Sequence, residues 1–175
     1  RALNRYSGIV VDVSLEQVAL ADGSSSFREV VHHPGGVAVL PVDGDGRAWC
    51  VRQYRYPFGR HLLEIPAGKL ERNEDPLAAA RRELAEETGF SAGRWLSLGT
   101  LYTSPGFSTE ILHLYLAADL RPGPAHPDPG ELLDLLPLPW AELREKVLAG
   151  EIRDGKTVAA VLKAADILAS AGIFC

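Results

Sequence analysis

Apolar positions along the chain fall into two rhythms. Residues 7–13 (SGIVVDV) and 15–21 (EQVALAD) alternate as strands do, Asp22-Gly23 and the serines after it make a turn, and residues 27–32 (FREVVH) read as a third strand. This opening segment has too few apolar positions to bury a core of its own, so it must lean on the rest of the chain or on another subunit. His33-Pro34-Gly35-Gly36 then breaks the chain. Residues 37–42 (VAVLPV) read as a buried strand, Asp43-Gly44-Asp45-Gly46 as a hairpin turn and residues 48–54 (AWCVRQY) as the returning strand. Further strands are predicted over 62–65, 95–102, 111–116 and 132–138. Helical spacing predicts a helix over 139–149, with Trp140 and Leu143 on its apolar side. A last helix is predicted to start at Asp154 or Thr157 and to run to Ala171. Residues 121–130 (RPGPAHPDPG) hold four prolines and read as a loop.

The strongest helical signal lies between residues 68 and 90, GKLERNEDPLAAARRELAEETGF. Asp75 is a good N-cap and Pro76 suits the first helical position; Gly89 is a natural left-handed stop. Leu77, Ala80, Leu84 and Thr88 form one stripe that should face a core. Glu83, Glu86 and Glu87 lie beside it within about 100° of arc, and Arg82 sits at the edge of that arc. Like charges at i,i+4 cost a helix roughly 0.2–0.5 kcal/mol, and acids near a helix C-terminus oppose the macrodipole. A hard divalent cation offsets both penalties, and an oxygen-only donor set suits Mg²⁺ or Mn²⁺. A solvated acidic face is the plainer alternative.

Composition narrows the setting. The chain has 175 residues, enough for one domain with an additional terminal element, and is 46% hydrophobic, enough for a sizeable core. A net charge of −5 gives no overall field favouring nucleic acid or anionic membrane. No apolar run approaches the roughly 20 residues that a membrane span requires, and no secretory leader pattern stands at the start. Cys50 and Cys175 make no disulfide framework; Cys50 reads as a small buried hydrophobe. A reduced, cytoplasmic setting is the expectation. With Arg1 first and no Met anywhere, the native first residues are expected to precede this sequence. Arg52, Arg55 and Arg60 make one region of an acidic chain locally basic, which is either solvated surface charge or a place to meet an anion. Arg55 is the first choice, since Arg pairs phosphate bidentately.

Gly68, Glu74 and the run Arg82-Glu83-Leu84-Ala85-Glu86-Glu87-Thr88-Gly89-Phe90 resemble the Nudix box at every fixed position; a smaller aliphatic residue is commoner where Phe90 stands. Within that family the chain resembles the ADP-ribose pyrophosphatase branch. The features that carry this are Arg28-Glu29, the RQYR run at 52–55, the EIPAGK run at 64–69, and the PGFSTE run whose Pro105 lies 16 residues beyond Gly89. The resemblance spans residues 7 to 170.

The resemblance implies a Nudix-type α/β/α sandwich with a mixed sheet, preceded by a small N-terminal antiparallel sheet. Residues 1–33 would be that sheet, serving dimerisation and substrate contact, and residues 34–175 the hydrolase domain. It implies Mg²⁺-dependent cleavage (Mn²⁺ being the alternative ion) of the pyrophosphate bond of ADP-ribose or a related nucleoside diphosphate sugar, giving AMP and ribose 5-phosphate. The implied metal ligands are Glu83, Glu86, Glu87, the Ala67 carbonyl and Glu131; the implied catalytic residues are Glu131, Glu86 and Arg82. Arg82 would orient a box glutamate, and Glu74 would lie behind it. Arg28, Glu29, Arg55, Ser104, Gly106 and Glu110 would touch substrate, Arg28 and Glu29 doing so across a homodimer. The general base would come from the loop 121–131, which offers Asp128 and Glu131, with Glu131 preferred. Two other functions stay open. One is a Nudix hydrolase for another nucleoside diphosphate derivative, such as a dinucleoside polyphosphate or a different sugar. The other is a non-catalytic ADP-ribose-binding sensor, against which three intact box glutamates argue. His113 reads as a structural strand residue.

Overall fold

The computed structural model describes residues 2–126 and 132–170. Strands β1 (Ala2–Ser7), β2 (Asp12–Ala19) and β3 (Ser25–His32) form a small antiparallel sheet in that order. The first hairpin differs from the sequence expectation. Its turn lies at residues 8–11, where the Gly8 amide donates to the Val11 carbonyl at 3.0 Å, so Ile9 and Val10 form an exposed tip rather than a strand. Among the described side chains of this sheet only Ser14 is buried. The sheet leans on residues 103–110: the Val31 amide donates to the Phe107 carbonyl at 2.7 Å and the Thr109 amide to the Val31 carbonyl at 2.9 Å.

The main body holds two further sheets. Strands β4 (Gly36–Pro41), β7 (Ala67–Lys69), β8 (Phe90–Tyr102) and β9 (Ile111–Pro122) are ordered β7-β4-β9-β8; β4 and β9 run parallel and the other pairs antiparallel. Strands β5 (Arg47–Arg55), β6 (Arg60–Glu64) and β10 (Leu133–Pro139) form an antiparallel sheet ordered β10-β5-β6. The predicted turn joins β4 to β5, but beyond a single Val42–Ala48 bridge the two do not pair and they belong to different sheets, so the expected hairpin stops at its turn. Asp43 organises it, accepting the Asp45 and Arg47 amides and the Trp49 indole N–H.

Strand β4 is the structural centre, with every residue buried. Because strand side chains alternate between faces, Val37 and Val39 point one way and Ala38 and Leu40 the other. The first pair packs with Ala79, Ala80 and Leu84 of α1 (Pro76–Thr88). The second packs with Ala160, Val161, Ala164 and Leu168 of α3 (Gly155–Ser170), and with Trp140 and Leu143 of α2 (Trp140–Leu148). The result is the expected α/β/α sandwich with a mixed sheet and a separate N-terminal sheet. Fully buried Cys50 takes its place in the second cluster, and burial pushes its thiol pKa up to about 12, which fits an inert hydrophobe.

Two strands run longer than expected. β8 starts at Phe90, directly after the helix stop, and β9 continues to Pro122. The ladder between them runs from Phe90 opposite Pro122 to Tyr102 opposite Ile111. Cross-strand pairing therefore extends structure through Ser91, Gly93 and Arg121, whose local propensities do not ask for it. The start of α3 is settled at Gly155. Asp154 caps it, accepting the Thr157 amide at 3.0 Å.

Candidate active site

Helix α1 begins as its sequence requires. Asp75 is extended, its side chain accepts the Ala78 amide at 2.9 Å, and Pro76 occupies the first turn. The helix ends at Gly89, whose φ of 72° is left-handed. Ala80, Leu84 and Thr88 are buried, and so are Glu83 at 9% and Glu87 at 6% exposure. Burial of two carboxylates is the departure from an ordinary amphipathic helix, because a buried charge must find partners.

Arg82 is the partner of three acids. Its Nε and Nη2 donate to the two Glu74 oxygens at 2.9 and 3.0 Å. Its Nη1 donates to Glu83 at 2.7 Å and to Glu86 at 2.9 Å, and Nη2 also reaches the Lys69 carbonyl at 3.2 Å. The hydrogen bonds to Glu74 first, then to Glu83 and Glu86, hold the guanidinium pKa above its ordinary value; the same bond holds the Glu74 carboxyl below its own. Glu87 turns the other way, and its Oε2 accepts the Ala67 amide at 3.0 Å. Together these bonds tie the loop before α1, the C-terminal half of the helix and strand β7 to one another.

Gly68 makes this closeness possible. A Cβ placed on it would lie 1.9 Å from the Glu83 carboxyl group. The glycine leaves a cradle that the carboxylate fills. The loop before it is equally constrained: the Val39 amide donates to the Pro66 carbonyl at 2.9 Å, and the Ile65 amide to the Thr157 hydroxyl at 2.9 Å.

A cleft of about 1380 Å³ opens beside this loop, roomy against the roughly 300–1,000 Å³ of ordinary ligand pockets. Ala67, Gly68, Arg82 and Glu83 form its acidic end, and Arg55 and Lys156 stand on its wall. Both cations converge on Glu64, which is 1% exposed. Arg55 grips it bidentately at 2.8 and 2.7 Å, and the Lys156 ammonium is in direct contact. Burial pushes the Glu64 pKa up, but the bonds from Arg55 and Lys156 outweigh it and the net shift is downward. The Glu64 hydrogen bond in turn raises the Arg55 pKa.

Of the sequence-predicted residues, Ala67, Arg82, Glu83, Arg55, Ser104 and Glu110 line this cleft. Of the three basic candidates, Arg52 pairs on the surface with Asp134 at 2.6 Å and Arg60 lies outside the cleft lining. Glu86 and Glu87 share the helix with Glu83 but do not line the cleft. Arg28 and Glu29 lie exposed on β3 outside it, Arg28 bonding Ser26 and the Phe27 carbonyl. Gly106 is also outside the lining. Asp128 and Glu131 lie outside the described residues. Sequence reading missed Glu64, Lys156 and His33. Glu64 stood in the EIPAGK run without a role, and nothing local marks Lys156, whose partner is 92 residues away. His33, read as part of a chain break, lines the cleft; its Nδ1 accepts the Gly35 amide at 3.1 Å and lies 3.5 Å from Glu110.

The donor set fits a hard divalent cation. It is all oxygen, two of its carboxylates are buried, and a glycine leaves the cradle beside one of them. Among the described residues no three acidic, histidine or cysteine side chains converge on one point. Arg82 and the Ala67 amide hold the box acids apart.

A mixed sheet between helices, with the buried Glu83 carboxylate at the end of a large cleft that also carries cations, defines an α/β protein whose cleft suits an anionic ligand together with a cation. The chain belongs to the NUDIX domain family, whose model matches residues 32–162, and it is a Nudix hydrolase. It is 41% identical over 158 residues to the ADP-ribose pyrophosphatase of Bacillus subtilis (strain 168), covering 89% of this chain and 85% of that one. It is 43% identical to the methanol dehydrogenase activator of Bacillus methanolicus, with the same coverage. The fold matches the crystal structure of an ADP compounds hydrolase at a TM-score of 0.88 and 21% identity, covering 99% of this chain and 95% of that one.

Gly68→Ala tests the cradle. The residue lies in a strand at an ordinary φ, so alanine costs the backbone little. The added methyl must push the Glu83 carboxylate aside. The expected outcome is a thermal midpoint close to wild type with hydrolysis reduced at least about a hundredfold. Retained activity would show that the Glu83 position does not matter.

Proposed function

We propose that this protein hydrolyses the pyrophosphate bond of ADP-ribose, or of a closely related nucleoside diphosphate sugar, using Mg²⁺ with Mn²⁺ as a substitute. The observation that carries the reading is the cleft that joins the buried Glu83–Arg82 cluster to the Arg55 wall, because a diphosphate bridging a cation and an arginine needs both. The B. subtilis relative, at 41% identity over most of both chains, supports the choice of sugar. The reaction adds water across one P–O bond: ADP-ribose and H₂O give AMP and ribose 5-phosphate, whichever phosphorus is attacked.

Glu83, Glu86 and Glu87, with the Ala67 carbonyl and Glu131, would hold the cation. Bound there, it would polarise phosphoryl oxygens and lower the pKa of water. The chain supplies the rest. Arg82 spaces the box acids Glu83 and Glu86. Arg55 neutralises the diphosphate, and Ser104, Gly106 and Glu110 position the remainder of the substrate. Glu131 accepts the proton of the attacking water. Two features support a base from this segment. The His126 amide donates to the Glu86 carbonyl at 2.9 Å, which anchors the chain entering the segment at the end of α1. On the far side, Leu133 pairs with Gln53. The described chain is thus held at the box before this segment and at β5 after it.

The N-terminal sheet, residues 1–33, would form a two-fold homodimer and carry Arg28 and Glu29 to the partner's cleft. Three observations support this. Its described residues bury almost nothing, Tyr6 and Phe27 are exposed, and Arg28 and Glu29 do not line their own chain's cleft. No helix among the described residues is long and apolar enough to cross a membrane, and a cytoplasmic location is proposed on the same footing.

Chromatography of the products from a panel of nucleoside diphosphate sugars tests the substrate; AMP and ribose 5-phosphate from ADP-ribose are expected. Glu87→Gln removes one negative charge and little volume, so turnover should fall by at least about a hundredfold while the circular dichroism spectrum is unchanged. An undiminished rate at saturating Mg²⁺ would falsify the metal role.

Glu131→Gln should cut turnover strongly with little change in substrate affinity, since the base acts in the transition state. If that variant is near wild type and Asp128→Asn is inactive, the base is Asp128; if both remain active, it lies in the box.

Light scattering at micromolar concentration should give twice the chain mass. A monomer there would remove the shared-site model.

A further inference from the structure

The Glu64 carboxylate is buried, anionic and unused by the reaction as described above. Its surroundings point to a task. It closes β6 at the loop that leads to Ala67, and it is gripped by one cation from the end of β5 and another from the first turn of α3. Both Arg55 and Lys156 also line the cleft. Their stems are long and flexible. Free in solvent, each would lose rotamer entropy on meeting a ligand. Held on one fixed carboxylate, that loss is incurred on folding instead.

The Lys156 end is fixed from behind as well. Its ammonium donates to Asp154 at 3.0 Å, while Asp154 caps α3 through the Thr157 amide. The Thr157 hydroxyl accepts the Ile65 amide, so α3 and the loop after Glu64 move as one piece. A purely structural ion pair has no need of a second cation on the same carboxylate at a cleft wall.

Resting on the hydrolase reading, we propose that Glu64 is a positioning residue that presents Arg55 and Lys156 together as a preformed two-cation site for the diphosphate, with Lys156 an additional substrate contact. Glu64 itself touches no substrate. The two cations bind ground state and transition state alike, so their loss raises KM more than it lowers kcat.

The test measures ADP-ribose hydrolysis and, separately, ADP binding by calorimetry in magnesium buffer, for wild type, Glu64→Gln, Lys156→Met and the double variant. Each single change should raise KM and the ADP dissociation constant about tenfold, with kcat altered less than about threefold. The double variant should be little worse than Glu64→Gln alone, because Lys156 is already released there. A merely structural Glu64 gives another pattern: a lowered thermal midpoint, unchanged KM, and effects that add. Either unchanged KM and ADP affinity in Lys156→Met, or additive losses, overturns the proposal. Should Glu64→Gln fail to fold, Lys156→Met still decides, since it leaves the Arg55–Glu64 pair in place. Wild type that binds ADP but does not cleave ADP-ribose would remove the hydrolase reading, while the ADP affinities of the variants would still judge the two-cation site.

Discussion

One guanidinium stands against the box carboxylates, and the site depends on how far that falls short of neutrality. Arg82 bonds Glu74, Glu83 and Glu86, and Glu87, one turn on from Glu83, accepts the Ala67 amide. Three acids against one guanidinium, with Glu87 nearby, leave an excess of negative charge along this face of α1. Two of the acids are buried, where water screens them least. A folded chain keeps such an excess only if something else lowers the energy of the charged state in use. An anionic substrate alone would make the imbalance worse. The proposed function would meet both needs together, with a cation at the acidic end and positive side chains further along the cleft.

The scaffold makes that arrangement rigid by treating the two faces of β4 differently. Val37 and Val39 seat α1, while Ala38 and Leu40 seat α3. The strand therefore sets the helix that bears the acids and the helix that bears Lys156 relative to each other. The loop from Glu64 to Gly68 runs between them and is tied to both, through Thr157 on one side and Glu87 on the other. Precision in the site then follows from packing in a close-packed core, with no long flexible segment in the path.

Much of this was legible in the sequence because its causes are local. The α1 boundaries follow from Asp75, Pro76 and Gly89, and the hairpin at Asp43 from its own turn chemistry. The three-glutamate arc follows from helical geometry alone. What was not legible depends on contacts between distant segments. The run Ile9-Val10-Val11 looks like strand, yet it forms a turn because pairing with β3 begins only at Asp12. β8 and β9 extend each other through residues with weak strand preference. Glu64 and Lys156 are 92 residues apart, so neither could be recognised until the fold brought them together. Gly68 belongs to both groups: its place in the box was visible, but its reason, the space taken by the Glu83 carboxylate, is three-dimensional.

The N-terminal sheet raises a different question, namely why a fold with a complete core carries a segment that buries so little. Its attachment is modest, a strand-like contact of Val31 with Phe107 and Thr109. That contact nevertheless falls on the segment carrying Ser104 and Glu110, which line the cleft. The exposed tip formed by Ile9 and Val10 lies at the same cleft. A sheet that is costly to keep ordered in isolation, yet is placed against the substrate side of the molecule, makes physical sense as recognition surface. The core helices hold Glu83 and Lys156 at the cleft. On the proposed function, the loosely held sheet would determine which group, beyond the diphosphate, the cleft accepts.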